Sequence, residues 1–265
     1  MIAAATVATA LSLLAPPPTI VAAGDIASCR STGDEQTAAI VARTPGTVAV
    51  LGDAVYERGT AAEYRDCYSW RRFRARTRAA IGNHEYGTPG ARPTKAYFKL
   101  PDRGWYSYEL GDWHVVVLNS NCGPAGGCEA GSPQQRWLAS DLASSTAACT
   151  LAYWHHARFS SGLHGSDPTL AALWRTLADT GADVVLAGHD HHYERFAPID
   201  GIRSFVVGTG GRSHYPVLRR LPRSAVANWT TYGVLELTLR PRAYEWRFLP
   251  VAGSGFRDRG SAPCR

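Results

Sequence analysis

The stretch TVAVLGDAVY, residues 47–56, begins with five apolar or β-branched residues and then turns to Gly52-Asp53. A short run of this kind predicts a buried strand, and the glycine permits a sharp turn immediately after it. Four other stretches share the form, an apolar run followed by polar side chains that can bind a ligand. Those stretches end in Gly24-Asp25, Gly82-Asn83-His84-Glu85, His155-His156 and Gly188-His189-Asp190-His191. Because open α/β sheets bind ligands outside the carboxyl ends of their strands, we expect these five ends to meet at one edge.

Helical patterns lie between most of the predicted strands, and two pairs of strands are typical of antiparallel hairpins. Thr60 and Glu63 form a capping-box pattern, which predicts the start of a long helix that carries the arginine-rich segment 71–78. Strands that alternate with helices, together with hairpins at residues 105–118 and 232–249, predict an α/β fold with mixed sheets. The other predicted helices cover residues 34–43, a stretch that starts at Pro133, and residues 168–179.

The composition is that of a folded domain. The chain has 265 residues, of which 45% are hydrophobic and 19% charged, and this excludes a disordered or fibrous protein. Residues 1–18 contain an apolar run that ends in three prolines, which predicts a secretory leader, with an N-terminal helix of the fold as the alternative. The remainder, 19–265, is predicted to be a single domain without a membrane-spanning segment. We therefore expect a secreted or cell-surface protein.

Six cysteines are present, and none belongs to a Cys-x-x-Cys pair. An even number of cysteines in an exported chain favours disulfides over metal thiolates. The expected pairs are Cys29–Cys67, Cys122–Cys128 across a glycine-rich loop, and Cys149–Cys264, which would hold the C-terminus.

The formal net charge is +6, and all basic residues are arginine except Lys95 and Lys99. A positive balance favours anionic ligands without identifying one. The segment Arg71–Arg78 is compatible with nucleic-acid or glycan binding, but such a segment on a helix is more typical of a solvated face. The sequence therefore predicts no specific nucleic-acid partner.

The polar strand ends predict a metal centre. Two carboxylates, an amide and several imidazoles at one buried edge are unfavourable together unless cations lie between them. Aspartate, asparagine and histidine ligands without cysteine favour Zn, Mn or Fe over Ca. Since alternate residues of an extended segment share a face, His189 and His191 can serve one cluster. The same spacing leaves open which of His155 and His156 is a ligand.

The five strand ends, taken in this order, resemble those of the calcineurin-like metallophosphoesterases. Within that family, they resemble the purple acid phosphatase branch most. Ordinary members carry a histidine two residues after the first aspartate, where this chain has Ala27. The purple acid branch instead places a tyrosine three residues after the second aspartate, where Tyr56 stands. The resemblance implies a layered αββα sandwich of two mixed β-sheets flanked by helices, with the metal site at the C-terminal ends of the strands.

The resemblance further implies two metal ions and their ligands. One ion, expected to be Fe, would be held by Asp25, Asp53, Tyr56 and His191, and the other (Zn, Mn or Fe) by Asp53, Asn83, His155 and His189. Asp53 would bridge the two. His84 would contact the phosphate, and His164 would lie just outside the ligands. Glu85 and Asp190 either orient the imidazoles or make ordinary loop hydrogen bonds.

The implied function is that of a dinuclear-metal phosphoester hydrolase, most simply a secreted phosphomonoesterase in which metal-bound hydroxide attacks phosphorus in line. The partner would then be a phosphoester substrate. One alternative is a phosphodiesterase acting on nucleotides, lipids or nucleic acid. Another is an inactive, metal-stabilised binding module of the cell surface. No Gly-x-Ser-x-Gly motif is present, which argues against a serine hydrolase.

Overall fold

A computed structural model describes residues 16–265, so most of the predicted leader lies outside the described residues. None of the described helices is long and apolar enough to cross a bilayer. The strands of the described chain are, in order, β1 (Thr19–Ala23), β2 (Ala27–Ser28), β3 (Thr47–Leu51), β4 (Val55–Tyr56), β5 (Thr77–Ala80), β6 (Tyr106–Leu110), β7 (Trp113–Val117), β8 (Cys149–Tyr153), β9 (Val184–Ala187), β10 (Tyr193–Phe196), β11 (Arg203–Val207), β12 (Ser224–Asn228), β13 (Gly233–Arg240), β14 (Ala243–Pro250) and β15 (Arg259–Pro263).

Two mixed sheets form the centre of the molecule. The first has six strands in the order β15-β14-β13-β1-β3-β5, and its members β1, β3 and β5 run parallel, with Val21 opposite Val48 and Val50 opposite Ala79. The second has seven strands in the order β12-β10-β11-β9-β8-β7-β6, in which β7, β8, β9 and β11 are parallel. Parallel strands are covered on both faces, which explains why their sequences are almost continuously apolar.

The α-helices of the described chain are α1 (Gly33–Arg43), α2 (Ala61–Asp66), α3 (Arg92–Phe98), α4 (Pro133–Ser144) and α5 (Ala171–Asp179), with short 3₁₀ segments at Ser69–Arg76, His84–Gly87, Pro89–Ala91 and Pro168–Leu170. One apolar core lies between the two sheets and extends to Val41 of α1. A second core lies between the outer face of the seven-stranded sheet and α4 and α5, through residues such as Leu138 and Leu173. This order of layers confirms the predicted αββα sandwich.

The prediction of a long helix after Thr60 is wrong, although the predicted start of that helix is correct. Thr60 and Glu63 form the capping box, but α2 ends at Asp66; the arginine-rich segment is a 3₁₀ helix up to Arg76 and then enters β5. Cys67 is bonded to Cys29, and the neighbouring Tyr68 takes an extended conformation with its side chain buried. Burial of aromatic rings and a covalent link thus outweigh the helix propensity of the arginines.

All three predicted disulfides are present: Cys29–Cys67, Cys122–Cys128 and Cys149–Cys264. The last joins the start of β8 to the residue that follows β15, and therefore links the two sheets.

The carboxyl ends of parallel strands from both sheets meet at one edge of the sandwich. Backbone hydrogen bonds tie these ends together: Gly24 N donates to Val207 O (2.9 Å), Asp25 N to Gly52 O (3.2 Å), and Gly188 N to His155 O (2.9 Å). The loops that follow β1, β3, β5, β8 and β9 consequently share one space.

Candidate metal centre

Three polar residues at these strand ends take the left-handed backbone conformation. The φ angles are 59° for Asp25, 47° for Asp53 and 71° for His189. Residues other than glycine rarely adopt positive φ, because Cβ approaches the backbone, and such residues concentrate at functional sites. This conformation turns each side chain from its strand end into the shared space.

Two glycines permit close approach at the same edge. A Cβ on Gly82 would lie 2.0 Å from Asp53 Oδ1, and one on Gly52 would lie 2.6 Å from His155 Nδ1. Any larger residue at either position would displace a side chain of the site. The recurring glycines are therefore needed for packing as well as for turns.

The first group of donor atoms comprises Asp25 Oδ1, Tyr56 Oη and His191 Nε2. Tyr56 Oη donates a hydrogen bond to Asp25 Oδ1 at 2.8 Å and lies 3.1 Å from His191 Nε2. The distance from His191 Nε2 to Asp25 Oδ1 is 3.3 Å. All three residues are buried.

The second group comprises Asp53 Oδ2, Asn83 Oδ1, His155 Nε2 and His189 Nδ1. His155 Nε2 lies at its centre, 3.0 Å from Asn83 Oδ1, 3.3 Å from Asp53 Oδ2 and 3.2 Å from His189 Nδ1. Asp53 also lies close to the first group, since one oxygen each of Asp25 and Asp53 and one nitrogen of His155 lie within 4.8 Å of one another. Burial, and then the charges of Asp25 and Asp53, raise the pKa of Tyr56. The structure thus brings together all seven residues expected to be ligands, with Asp53 between the two groups.

The donor set fits metal ions. Two atoms that each bind one ion at about 2.1 Å, at angles of 90–110°, are separated by about 3.0–3.4 Å. The donor pairs reported above lie in this range except Tyr56 Oη and Asp25 Oδ1, which are hydrogen-bonded at 2.8 Å. Burial would raise the pKa of the Asp53 carboxyl, but His155 and His84 beside it hold that pKa well below its usual range. Burial would lower the pKa of His155, but the Asp53 carboxylate raises it to about 10. The buried carboxylates therefore require positive charge, which cations would supply in place of a proton.

Contacts behind the donor atoms orient two imidazoles, and one of these contacts also fixes a tautomer. His155 Nδ1 lies 2.8 Å from the carbonyl of Leu51, so this nitrogen donates and leaves Nε2 free to bind. His191 Nδ1 lies 2.6 Å from Ser213 Oγ, which leaves its Nε2 directed at the first group. Sequence reasoning missed Ser213, since nothing in the motif distinguishes it from other loop serines.

Glu85 and Asp190 hold the backbone rather than the imidazoles. The Glu85 carboxylate accepts hydrogen bonds from the amides of Asp53 (2.9 Å), Ala54 (2.8 Å) and Gly82 (2.6 Å). Asp190 accepts from Ser160 Oγ and from the amide of His164 (2.8 Å). Burial and the nearby Asp53 charge raise the pKa of Glu85 to about 8. The loop-hydrogen-bond alternative is therefore correct for both residues.

The His156 side chain lies closer to the second donor group than the alternation of side chains along a strand predicts. Its ring centroid is 4.4 Å from that of His189, and Nδ1 lies 2.8 Å from Ser120 Oγ. Burial and the neighbouring His155 lower the pKa of His156 to about 4. β8 ends at Tyr153, so the rule that neighbouring side chains oppose each other no longer holds two residues later.

The two predicted catalytic histidines lie at the mouth of the site. His84 Nδ1 is 2.8 Å from the carbonyl of Glu57, and its Nε2 faces Asp53 Oδ2 at 4.0 Å. His164 is exposed, and its ring centroid lies 4.2 Å from that of His189.

Two further residues at the mouth were not found by sequence reasoning. The Arg212 guanidinium lies 5.1 Å from the centroid of the Tyr56 ring and forms an ion pair with Glu57 at 2.9 Å. The Tyr215 ring stacks on His191 at 4.0 Å between centroids. Both belong to the loop after β11, which carries no recognisable motif.

Comparison with protein families gives a match to a model described as calcineurin-like phosphoesterase, over residues 18–193. Two strain variants of an uncharacterized Mycobacterium tuberculosis protein are 31% identical to the chain over 164 residues, which cover 52% of the chain and 30% of the relative. The chain thus spans under a third of the length of these curated relatives.

Among solved structures, a purple acid phosphatase from yellow lupin seeds has a TM-score of 0.79 at 17% identity, covering 93% of this chain and 53% of the lupin chain. A protein described as the anchor in the inner membrane complex of Plasmodium has a TM-score of 0.75 at 13% identity, covering 95% and 90%. At these identities the likeness establishes the fold.

Proposed function

The chain belongs to the calcineurin-like phosphoesterase family, a family of metal-dependent phosphoesterases, and on that premise we propose that it is a secreted phosphomonoesterase with a dinuclear metal centre. Residues 19–265 would act as a single catalytic domain. The observation that supports the proposal most is the pair of donor groups that share Asp53. Two unrelated structural clusters would have no reason to place one carboxylate between them.

The first cation would be held by Asp25, Asp53, Tyr56 and His191, and the second by Asp53, Asn83, His155 and His189. Tyr56, a phenol among hard donors, favours Fe at the first position, while the nitrogen-rich second group suits Zn, Mn or Fe. When bound, a pair of cations lowers the pKa of coordinated water and stabilises the attacking and leaving oxygens of an in-line displacement.

His84 is suited to carry a proton at Nε2. Because Nδ1 donates to the Glu57 carbonyl, the neutral ring has Nε2 as an acceptor, and the protonated ring donates from it. One third of the side chain is exposed, so a phosphate oxygen or a leaving oxygen can reach this atom. We assign His84 to phosphate binding and proton transfer.

His164 would act from a position outside the two donor groups. Its backbone amide is held by Asp190, and its ring packs against His189 and Tyr215. From this position it would orient an incoming substrate, and its loss would cost less activity than the loss of His84.

Hydrolysis of an aryl phosphate and of a bis-aryl phosphate by the purified protein tests the substrate class. Faster turnover of the monoester supports the proposal. Preference for the diester would instead indicate a phosphodiesterase with the same metals. Two bound metals without turnover of either compound would indicate a binding module.

A visible spectrum tests the metal assignment. Fe bound to the Tyr56 phenolate gives a charge-transfer band, which Tyr56→Phe would abolish while the metal content stays at two. A colourless wild-type protein with two zinc ions would contradict the assignment of Fe.

Secretion is supported by the three disulfides, because disulfides persist in oxidising compartments. Fusion of residues 1–18 to a reporter enzyme that is active only after export would test it. A reporter that stays inside the cell would contradict secretion through this segment.

A further inference from the structure

A second concave surface lies away from the metal centre and is strongly basic. This basic groove, of about 800 Å³, is lined by Arg71, Arg72, Arg74, Arg78, Lys99 and Tyr106 among its polar and aromatic residues. Among the described residues, its lining contains five cationic side chains and no carboxylate. The metal centre contributes no residue to it.

The groove lies at the opposite end of β5 from the metal centre. Thr77 lines the groove at the start of the strand, whereas Gly82 and Asn83 follow its carboxyl end. Five residues of extended chain, at about 3.3 Å each, separate the two sites by roughly 16 Å. A ligand in the groove would therefore leave the metal centre open.

The arginines of this segment divide into two sets. Arg76 donates to the carbonyls of Gly46 (2.5 Å) and Val41 (2.7 Å), and Arg72 donates to that of Ala38 (3.1 Å), so these two also fasten the segment to its neighbours. In contrast, Arg74 and Arg78 donate to no carbonyl outside their own segment in the part of the chain that the structure describes, and they face the rings of Tyr97 (4.9 Å) and Tyr108 (5.7 Å). No described carboxylate neutralises their charges.

Within residues 16–265, none of the five groove cations forms an ion pair with a carboxylate. Two acids, Glu35 and Asp66, line another pocket to which Arg71 and Arg72 also belong, and Asp66 pairs with Arg65. Uncompensated like charges in a concave surface focus a positive potential that a bound anion would relieve. Guanidinium groups match phosphate through paired N–H donors.

We infer that the basic groove binds a flexible linear polyphosphate, a chain of phosphate groups that carries no nucleobases. Five cations along one groove suit several successive phosphates better than a single one. The two aromatic residues that line the groove are half-buried and pack within the fold: the Phe98 ring lies 4.9 Å from that of Tyr97 between centroids, and the Tyr106 hydroxyl donates to the carbonyl of Ala79 at 3.0 Å, so neither ring stands free to stack nucleobases.

A flat lipid surface fits this groove less well than a polymer. The large hydrophobic side chains exposed in the described chain are Leu163, Leu218 and Trp229, and none of them lines the groove. A membrane-binding surface would be expected to present such residues beside its cations.

Binding of medium-chain inorganic polyphosphate to the full-length protein tests the inference. The groove variant Arg71→Gln/Arg74→Gln/Arg78→Gln should bind at least about tenfold more weakly than wild type at moderate salt, and its log Kd should depend on log salt with a slope reduced by about two. The matched control, Arg175→Gln/Arg242→Gln/Arg259→Gln, removes the same charge from exposed positions elsewhere and should bind within about twofold of wild type.

Hydrolysis of the aryl phosphate should be unchanged in the groove variant, because the groove contributes nothing to the metal centre. Equal loss of polyphosphate binding in both triple variants would overturn the inference, since net charge alone would then explain the binding. Tighter binding of single-stranded DNA than of polyphosphate would also overturn it in favour of nucleic acid. Binding to anionic vesicles alone would overturn it in favour of a membrane surface.

Discussion

Asp53 shows how much of the site depends on single side chains. Its carboxylate lies 3.3 Å from His155 Nε2, its other oxygen accepts from the His84 amide at 2.9 Å, and its backbone φ is 47°. Asparagine tolerates this backbone region as well as aspartate does, so the charge can be removed while the fold is kept.

Asp53→Asn should lower phosphoester hydrolysis by at least about a hundredfold, because even residues behind metal ligands affect activity by 10–100-fold. The thermal unfolding transition of the metal-free protein should stay cooperative. The matched control is Asp112→Asn, which changes the exposed aspartate of another Gly-Asp pair in the turn between β6 and β7. An Asp53→Asn enzyme with near wild-type turnover would contradict the bridging role.

The site residues that the sequence predicts differ from those that it does not predict in where they lie in the fold. Most of the seven proposed ligands follow buried strands, so the apolar pattern places those side chains at one edge. Tyr56, and His155 rather than His156, are indicated only by the resemblance to the purple acid phosphatase branch. Ser213, Arg212 and Tyr215 come from a loop whose position depends on long-range packing, and no local pattern encodes that packing. Glu85 belongs to a motif that the sequence shows. Its role of binding three amides, however, depends on the loop after β3, which local sequence does not place.

At the level of elements, hairpins and caps were predictable, and short edge strands were not. The β6–β7 and β13–β14 hairpins appear where turn residues interrupt apolar runs. The strands β10, β12 and β15 were missed because they are short or lie at sheet edges and carry polar residues. The helix that ended early at Asp66 shows tertiary packing overriding local preference.

The β6–β7 hairpin is joined to α4 by a buried histidine. His114 lies between Glu109 (2.6 Å) and Asp141 (2.8 Å), and although burial alone would lower its pKa, these two carboxylates raise it. Because its pKa is higher in the folded than in the unfolded state, protonated His114 stabilises the fold. This contribution is fully present below about pH 6.5 and is lost as the pH rises through the folded-state pKa of His114.

His114→Gln should therefore reduce the free energy of unfolding by about 1 kcal/mol at pH 6 and by less at pH 9. Urea denaturation at both values measures this difference. Equal destabilisation at the two pH values would show that packing, not charge, gives His114 its role.

The disulfides should contribute more to stability the longer the loop that they close, with a logarithmic dependence on loop length. Cys149–Cys264 spans 115 residues and Cys122–Cys128 spans 6. The loop-entropy relation gives about 5 kcal/mol for the first and about 2 kcal/mol for the second. Thermal unfolding of the two double serine variants should show the larger loss for Cys149→Ser/Cys264→Ser. A larger loss for the short loop would contradict this ranking.

At the scale of the whole molecule, the metal centre joins the two sheets. Asp25, Asp53 and Asn83 follow strands of the six-stranded sheet, while His155 and His189 follow strands of the seven-stranded one. Cations bound between them would act as a cross-link and stabilise the folded state relative to the unfolded chain.

Chelation of the metals should consequently lower the unfolding temperature. A free metal concentration of 100 times Kd corresponds to about 2.7 kcal/mol of stabilisation, all of which the chelator removes. Differential scanning calorimetry with and without the chelator measures the shift, and added metal should reverse it. An unfolding temperature unaffected by chelation would contradict a cross-link between the sheets.

The most direct test is an anomalous-difference diffraction map from crystals of the metal-loaded protein. Two peaks are expected, one bonded to Asp25, Tyr56 and His191, the other to Asn83, His155 and His189, with the Asp53 carboxylate touching both. A single peak, or peaks that Asp53 does not join, would contradict a dinuclear metal centre bridged by Asp53.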